Sequence, residues 1–189
     1  MVFDATPNEV VRKAVAALDA AGVAYMLTGS LASSLHGLPR STQDIDFVIA
    51  PDDRTLGQLI SEFSSSRYYL SRTAAIQALR QGSLFNVIDL ESGWKIDFII
   101  RKSREFSRAE FDRRITAELL GMKIVVATPE DVVISKLEWS KRSGSERQLD
   151  DAAGIVKTQG PRLDTVHVER WVVALELAPQ WATTLEKSR

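Results

Sequence analysis

The stretch that decides the fold is Leu27–Ile49, LTGSLASSLHGLPRSTQDIDFVI. A short apolar run over 23–27 predicts a buried strand, and residues 30–36 predict a short helix closed by a glycine. A second strand is predicted over 43–49. Gly29-Ser30 therefore lies at a strand-to-helix junction. Glycine lets a ligand approach the backbone there, and the first N–H groups of the helix, with the serine hydroxyl, form an anion site.

The second predicted strand is apolar on one side and acidic on the other. Side chains alternate across a strand, so Asp44 and Asp46 share one face while Ile45 and Phe47 enter the packed face. Two carboxylates held this close repel and raise each other's pKa unless a divalent cation neutralises both. Ligands that are oxygen atoms only favour Mg²⁺ or Mn²⁺ over zinc. An anion site beside a cation site is typical of a nucleoside triphosphate bound with magnesium.

A third carboxylate is predicted on a later strand. Asp97, in KIDFII, repeats the pattern of an acidic residue inside an apolar strand. Two-metal phosphoryl or nucleotidyl transfer uses such carboxylates, because the two ions stand roughly 3.5–4 Å apart and stabilise the attacking and leaving oxygens together.

The rest of the chain predicts an α+β fold, with a mixed sheet flanked by helices and a helical C-terminal part. A capping box predicts a first helix from residue 6 to 22, and hairpins are predicted over 83–100 and 116–127. From 128 onward the pattern is only helical, so we expect an α/β domain over 1–127 and a helical domain over 128–189. Further helices are predicted over 52–63, 73–82 and 107–114.

Composition excludes several classes of protein. The 189 residues contain 44% hydrophobic and 26% charged residues, and the formal net charge of −1 gives no overall attraction to nucleic acid or acidic membranes. The sequence has no cysteine, so it has no disulfide, no thiolate zinc site and no thiol nucleophile. It shows neither a signal peptide nor a membrane-length apolar run, so we expect a cytoplasmic protein with no membrane partner.

The deciding stretch resembles the signature of the nucleotidyltransferase superfamily with the DNA-polymerase-beta type of fold. In that signature Gly-Ser is followed by a helix and then by Asp-x-Asp, as in Gly29-Ser30 and Asp44-x-Asp46 here. Arg40 and Thr42 also fit the R-x-T-x-D-x-D version of the motif.

The resemblance implies a role for each of these residues. Asp44 and Asp46 would bind both metal ions, Mg²⁺ or Mn²⁺. Asp97 would bind the catalytic metal and help to deprotonate the attacking hydroxyl. Gly29-Ser30 would hold the β and γ phosphates.

The later segment TPEDVVISKLEWSKRSGSERQLDDAAGIV resembles the abortive-infection (AbiEii-like) toxin branch and related bacterial proteins. By that resemblance Lys136 reaches the triphosphate, and Asp151 orients a base or the lysine. The chain departs from the branch at Asp150, where relatives more often carry a basic residue. An acidic residue in place of a basic one would change the charge of the nucleotide pocket, and so its preference among nucleotides.

Other features of the sequence favour structural roles. His36 lies near Ser33 and Ser34, but there is no nucleophile elbow, so helix-end packing is expected rather than a serine hydrolase site. Three tryptophans at helical apolar positions are expected in the core or an interface rather than as a base-stacking platform, namely Trp139, Trp171 and Trp181.

The run RKSREFSRAEFDRR, residues 101–114, carries six basic and three acidic residues. A run of this kind attracts RNA in some proteins, but it is more often a solvated helix face.

The leading functional hypothesis is an enzyme that transfers a nucleoside monophosphate from an NTP to a hydroxyl and releases pyrophosphate. The acceptor is open among an RNA 3′ end or tRNA, a protein side chain and a small molecule, with antibiotics the weaker option. The toxin branch suggests a toxin–antitoxin role and a partner protein by analogy. The alternatives are a non-catalytic member that binds nucleotide or a partner, and a two-carboxylate hydrolase, which would leave Gly29-Ser30 unexplained.

Overall fold

The computed structural model describes residues 7–189, which form a seven-stranded mixed sheet with helices packed around it. The strands are β1 Tyr25–Thr28, β2 Asp44–Ile49, β3 Tyr68–Leu70, β4 Leu84–Asp89, β5 Lys95–Ile100, β6 Ile115–Leu119 and β7 Met122–Val126. The helices are α1 Pro7–Ala21, α2 Gly29–His36, α3 Asp53–Glu62, α4 Arg72–Gln81, α5 Glu105–Asp112, α6 Pro129–Ser143, α7 Glu146–Gln159, α8 Thr165–Ala174 and α9 Ala178–Lys187, with a short 3₁₀ turn over Gly160–Arg162.

The sheet has the strand order β3-β4-β5-β2-β1-β7-β6. Strand β2 runs antiparallel to β1 and parallel to β5. The first residues of β2 and β5 and the last residue of β1 therefore meet at one edge of the sheet. Helix α2 begins at that edge, directly after β1 ends at Thr28.

Aromatic packing fixes one face of the central strands. Phe47 of β2 and Phe98 of β5 are fully buried and stack with ring centroids 6.1 Å apart. Phe63, which follows α3, packs against Phe98 at 6.0 Å. Because side chains alternate along a strand, residues 44, 46 and 97 project from the opposite face.

The predicted α+β class and mixed sheet are confirmed, as are both hairpins. The turn between β6 and β7 uses Leu120 and Gly121, both with positive φ (52° and 69°), as a two-residue turn of this hairpin type requires. The capping box predicted for the first helix begins at Thr6, which lies outside the described residues. The sequence missed β3, because its three residues are too few to show a periodic pattern.

The later helices pack closely on α2. Gly37, at the end of α2, has no side chain, and an added Cβ would lie 2.7 Å from the backbone nitrogen of Ile155 in α7. One continuous hydrophobic cluster includes Phe47 of the sheet and Val133 of α6. The division into domains 1–127 and 128–189 stays a prediction.

Within residues 7–189, no helix is both long and apolar enough to cross a membrane.

The contact at Gly37 predicts a loss of stability on substitution. Gly37→Ala forces the added methyl group against the backbone of α7, so we expect the free energy of unfolding to fall by about 1–3 kcal/mol in urea denaturation. Gly57→Ala, inside α3, is the matched control, because an added Cβ there meets nothing within 4 Å. It should leave stability unchanged or raise it by up to about 1 kcal/mol. Equal effects of the two substitutions would contradict the packing described.

Candidate functional site

The carboxylates form the centre of the candidate site. The strand register places Asp46 beside Asp97 on the neighbouring parallel strand, and Asp44 beside Lys95. On its other side, Asp46 is in register with Thr28 of the antiparallel strand β1, the residue directly before α2. The predicted placement of Asp44 and Asp46 on one face is confirmed, since Ile45 between them is fully buried on the other.

Gly29 allows Asp46 to lie against the start of α2. Its φ is +64°, and a Cβ built on it would lie 2.0 Å from Oδ2 of Asp46. Both the backbone conformation and the space therefore favour glycine. The predicted strand-to-helix junction is confirmed, and it brings the first turn of α2 onto the carboxylate.

The environment of Asp46 disfavours its charged form. Burial, followed by the charge of Asp97, raises its pKa to about 6, while Lys136 and a backbone hydrogen bond from Ser30 act in the opposite direction. A carboxylic acid with this pKa is partly protonated near neutral pH. Added positive charge at this position would be strongly favourable.

Lys95 is a residue that the sequence reasoning missed. Its ammonium nitrogen lies 3.3 Å from Oδ1 of Asp44 and 3.0 Å from Oδ2 of Asp97. Hydrogen bonding to Asp97 is the main cause of its raised pKa. The alternation of side chains along a strand could have predicted it, because Lys95 precedes Asp97 by two residues and so lies on the same face of β5.

A largely buried cluster of two cations and one carboxylate lies next to the start of α2. Arg40 donates a hydrogen bond to the Ser30 hydroxyl, and its Nε lies 2.9 Å from Oδ1 of Asp151. Lys136, only 4% exposed, donates to Oδ2 of Asp151 at 2.7 Å. Burial lowers the pKa of Lys136, and its bond to Asp151 opposes that effect. Four residues predicted to bind the nucleotide therefore contact one another.

Two predicted features lie outside this cluster. The Thr42 hydroxyl accepts a hydrogen bond from the backbone N–H of Asp44 at 3.2 Å, so it fixes the start of β2. Asp150 pairs with Lys187 of α9 at 2.7 Å and is 60% exposed. The Asp150 carboxylate therefore lies at the surface beside α9.

A cavity of about 480 Å³ opens beside the carboxylates. Of the predicted site residues, its wall contains Gly29, Ser30, Asp46, Asp97 and Lys136. This volume is typical of small-molecule sites. Arg40 and Asp151 do not line the cavity, but they contact two residues that do: Arg40 contacts Ser30, and Asp151 contacts Lys136.

The three aspartates suit a divalent cation by their donor chemistry. They offer carboxylate oxygens alone, and Oδ1 of Asp97 is buried without a hydrogen-bond partner among the described residues. In the part of the chain from 7 to 189, however, no three His, Cys, Asp or Glu side chains are gathered closely enough to hold a metal ion. The Lys95 ammonium contacts two of the three carboxylates, those of Asp44 and Asp97.

The outer wall of the cavity is rich in cations. Arg101 and Lys102 form no ion pair with any described residue, while Arg104 binds Glu138 with two hydrogen bonds of 2.5 Å. Burial raises the pKa of Glu110 to about 7, so this wall residue is only partly ionised at neutral pH. Away from the aspartates, the cavity therefore carries net positive charge.

His36 and the tryptophans have the following places. His36 is buried, with Nε2 2.8 Å from the carbonyl oxygen of Ala127, which confirms helix-end packing. Trp171 and Trp181 are buried as expected. Trp139 is 54% exposed and lines the cavity, so it does not lie in the core, and the alternative place at an interface stays a prediction.

The buried carboxyl of Glu110 predicts a pH dependence of stability. Its pKa is higher in the folded than in the unfolded protein, so it contributes most below about pH 4.5, and the contribution is lost as pH rises to about 7. In the unchanged protein this carboxyl therefore lowers the free energy of unfolding by up to about 3 kcal/mol between pH 4.5 and 8. Glu110→Gln should remove that pH-dependent decrease, as measured by urea denaturation across the same range. Glu118→Gln, at an exposed position, is the control. An identical pH profile for Glu110→Gln and the unchanged protein would contradict the assignment.

Comparison with known proteins identifies the fold. No protein-family model and no curated protein match the chain. The solution structure of antibiotic-resistance factor ANT(2'')-Ia superimposes with a TM-score of 0.58 at 14% identity, over 97% of each chain. The crystal structure of ANT(2'')-Ia in complex with adenylyl-2''-tobramycin gives a TM-score of 0.60 at 14% identity, over 92% of this chain and 98% of that one. The likeness to the AbiEii-like branch stays a prediction, whereas the architecture is shown: this chain has the nucleotidyltransferase fold.

Proposed function

We propose that the protein is a metal-dependent nucleotidyltransferase, which moves a nucleoside monophosphate from an NTP to a hydroxyl group and releases pyrophosphate. One observation carries the proposal. Asp46 and Asp97 are aligned on neighbouring strands, directly beside the helix start at Gly29-Ser30, and all four residues line one cavity. Metal ligands and an anion site are thus adjacent, as a magnesium-bound triphosphate requires.

In this proposal Asp44, Asp46 and Asp97 hold the divalent cations, Mg²⁺ or Mn²⁺. The bound cations supply charge neutralisation for the phosphates during transfer. The raised pKa of Asp46 fits this role, because a bound cation would offset both the burial of the carboxylate and its repulsion from Asp97.

The phosphate chain is assigned to the first turn of α2 and to Lys136. The backbone N–H of Ser30 donates a hydrogen bond to the Asp46 carboxylate, and Lys136 lies in the same cavity wall. Asp151 orients both Lys136 and Arg40, so the cations are already placed before nucleotide arrives. Preorganised donors of this kind bind developing charge at little cost of rearrangement.

The transfer step forms one bond and breaks one. The acceptor hydroxyl oxygen bonds to the α-phosphorus, and the bond from that phosphorus to the oxygen bridging toward the β-phosphate breaks. Pyrophosphate leaves, and the hydroxyl proton passes to a carboxylate. Asp97 is assigned that proton, since its buried Oδ1 has no other partner among residues 7–189.

The charge of the cavity favours an anionic acceptor, such as an RNA end, over a polycationic antibiotic. Arg101 and Lys102 are unpaired within the described chain, and Glu138 is held by Arg104. An aminoglycoside, the ligand class in the ANT(2'')-Ia complex, needs free carboxylates outside the metal site. A toxin–antitoxin role is part of this proposal through the resemblance to the AbiEii-like branch.

A non-catalytic nucleotide-binding protein is the second candidate. The position of Lys95 favours it, because an ammonium between Asp44 and Asp97 partly substitutes for a metal ion. Binding of nucleotide without turnover would be its signature.

The test uses each of the four NTPs labelled at the α-phosphate and measures transfer of the label to an acceptor. The purified protein is incubated with Mg²⁺ or Mn²⁺, total tRNA, a bacterial lysate and, separately, an aminoglycoside. We expect metal-dependent label in RNA. Asp46→Asn should reduce labelling by at least about a hundredfold, as expected for loss of a group that stabilises transition-state charge.

Adjacent aspartates give the matched control. Asp151→Asn should reduce labelling at least about tenfold, because Lys136 and Arg40 lose their common partner. Asp150→Asn, which breaks only the surface pair with Lys187, should label like the unchanged protein. No labelling of any acceptor, with nucleotide still bound, would move the non-catalytic candidate ahead.

A further inference from the structure

Lys95 occupies a position that the proposed reaction does not use. It is the first residue of β5, two residues before Asp97, and it pairs in register with Asp44 of β2. Its side chain therefore leaves the sheet on the carboxylate face, between the two strands. The ammonium contacts Oδ1 of Asp44 and Oδ2 of Asp97 at 3.3 and 3.0 Å.

These contacts involve two of the three proposed metal ligands at once. A surface lysine paired with one carboxylate is common and contributes little to stability. Here one ammonium bridges carboxylates on separate strands, and one of them, Asp97, is only 13% exposed. The positive charge of this ammonium repels a divalent cation and competes with it for the same two carboxylates.

The side chain of Lys95 has room to leave. It is 37% exposed, whereas Lys136 is 5% exposed and enclosed by its neighbours. A lysine has a flexible four-carbon stem, so it can move its charge into solvent without disturbing the strand. The structure thus contains one fixed cation and one displaceable cation around the same carboxylates.

We propose that Lys95 is a built-in counter-cation, which holds Asp44 and Asp97 together in the nucleotide-free protein and competes with divalent metal for them. The inference rests on the proposed function, because it takes these aspartates as metal ligands. Its consequence is that metal alone binds weakly. A metal ion arriving with a triphosphate binds better, since phosphate oxygens add ligands that Lys95 does not block.

The test measures Mn²⁺ binding without nucleotide, by calorimetry and by the paramagnetic resonance signal of free Mn²⁺. Lys95→Met should bind Mn²⁺ at least about tenfold more tightly than the unchanged protein, because a repelling charge is removed. Lys95→Arg keeps the charge and should bind Mn²⁺ as weakly as the unchanged protein. Lys123→Met, at an exposed strand position in β7, is the matched control and should change nothing.

Stability provides a second readout. Without metal, Lys95→Met should lower the thermal midpoint by about 2–4 °C, because two carboxylates lose their shared partner, and Mn²⁺ should restore it. If Lys95→Met folds poorly, Lys95→Gln gives the same comparison with a polar side chain. Unchanged Mn²⁺ affinity in the charge-removing variants would overturn the proposal.

Asp97→Asn separates failure of this inference from failure of the proposed function. If it abolishes Mn²⁺ binding while Lys95→Met leaves binding unchanged, the aspartates are metal ligands and only the role of Lys95 is wrong. If Asp97→Asn binds Mn²⁺ like the unchanged protein, or if no variant binds it, the metal site itself is wrong and both proposals fall.

Discussion

The alignment of Asp46 with Asp97 on neighbouring parallel strands is the constraint on which the site depends. Burial of the Asp46 carboxylate, followed by repulsion from the charge of Asp97, raises the pKa of Asp46 to about 6. Nearby lysine side chains offset part of this negative charge. Lys95 bridges Asp97 to Asp44, and Lys136 acts on Asp46 from the other side. A divalent cation would neutralise the charge of these carboxylates more completely than the lysines do.

The fold brings these groups together from distant parts of the chain. Gly29 allows α2 to begin directly against Asp46, and α6 and α7 then pack on α2 and deliver Lys136 and Asp151. Gly37 permits the close approach of α2 and α7. The later helices therefore contribute the ion pair of Lys136 and Asp151 to the site.

The sequence predicted what local patterns encode. Alternation on β2 placed Asp44 and Asp46 on one face, and an acidic residue in an apolar strand pointed to Asp97. Lys95 obeys the same alternation, but a strand-end lysine is usually solvated, and only the register with Asp44 shows its role. The bond from Arg40 to Asp151 joins residues 111 positions apart, which no local pattern encodes. The sequence did not separate the exposed Trp139 from the two buried tryptophans, because α6 packs on several sides and apolar spacing alone does not show which side stays open.

The most direct measurement is a crystal structure with Mn²⁺ and a non-hydrolysable NTP analogue, with manganese located by its anomalous signal. The account predicts manganese within about 2.2 Å of oxygens from both Asp46 and Asp97, with the phosphates at the start of α2. Triphosphate bound without manganese at these two aspartates, or manganese bound elsewhere on the protein, would contradict it.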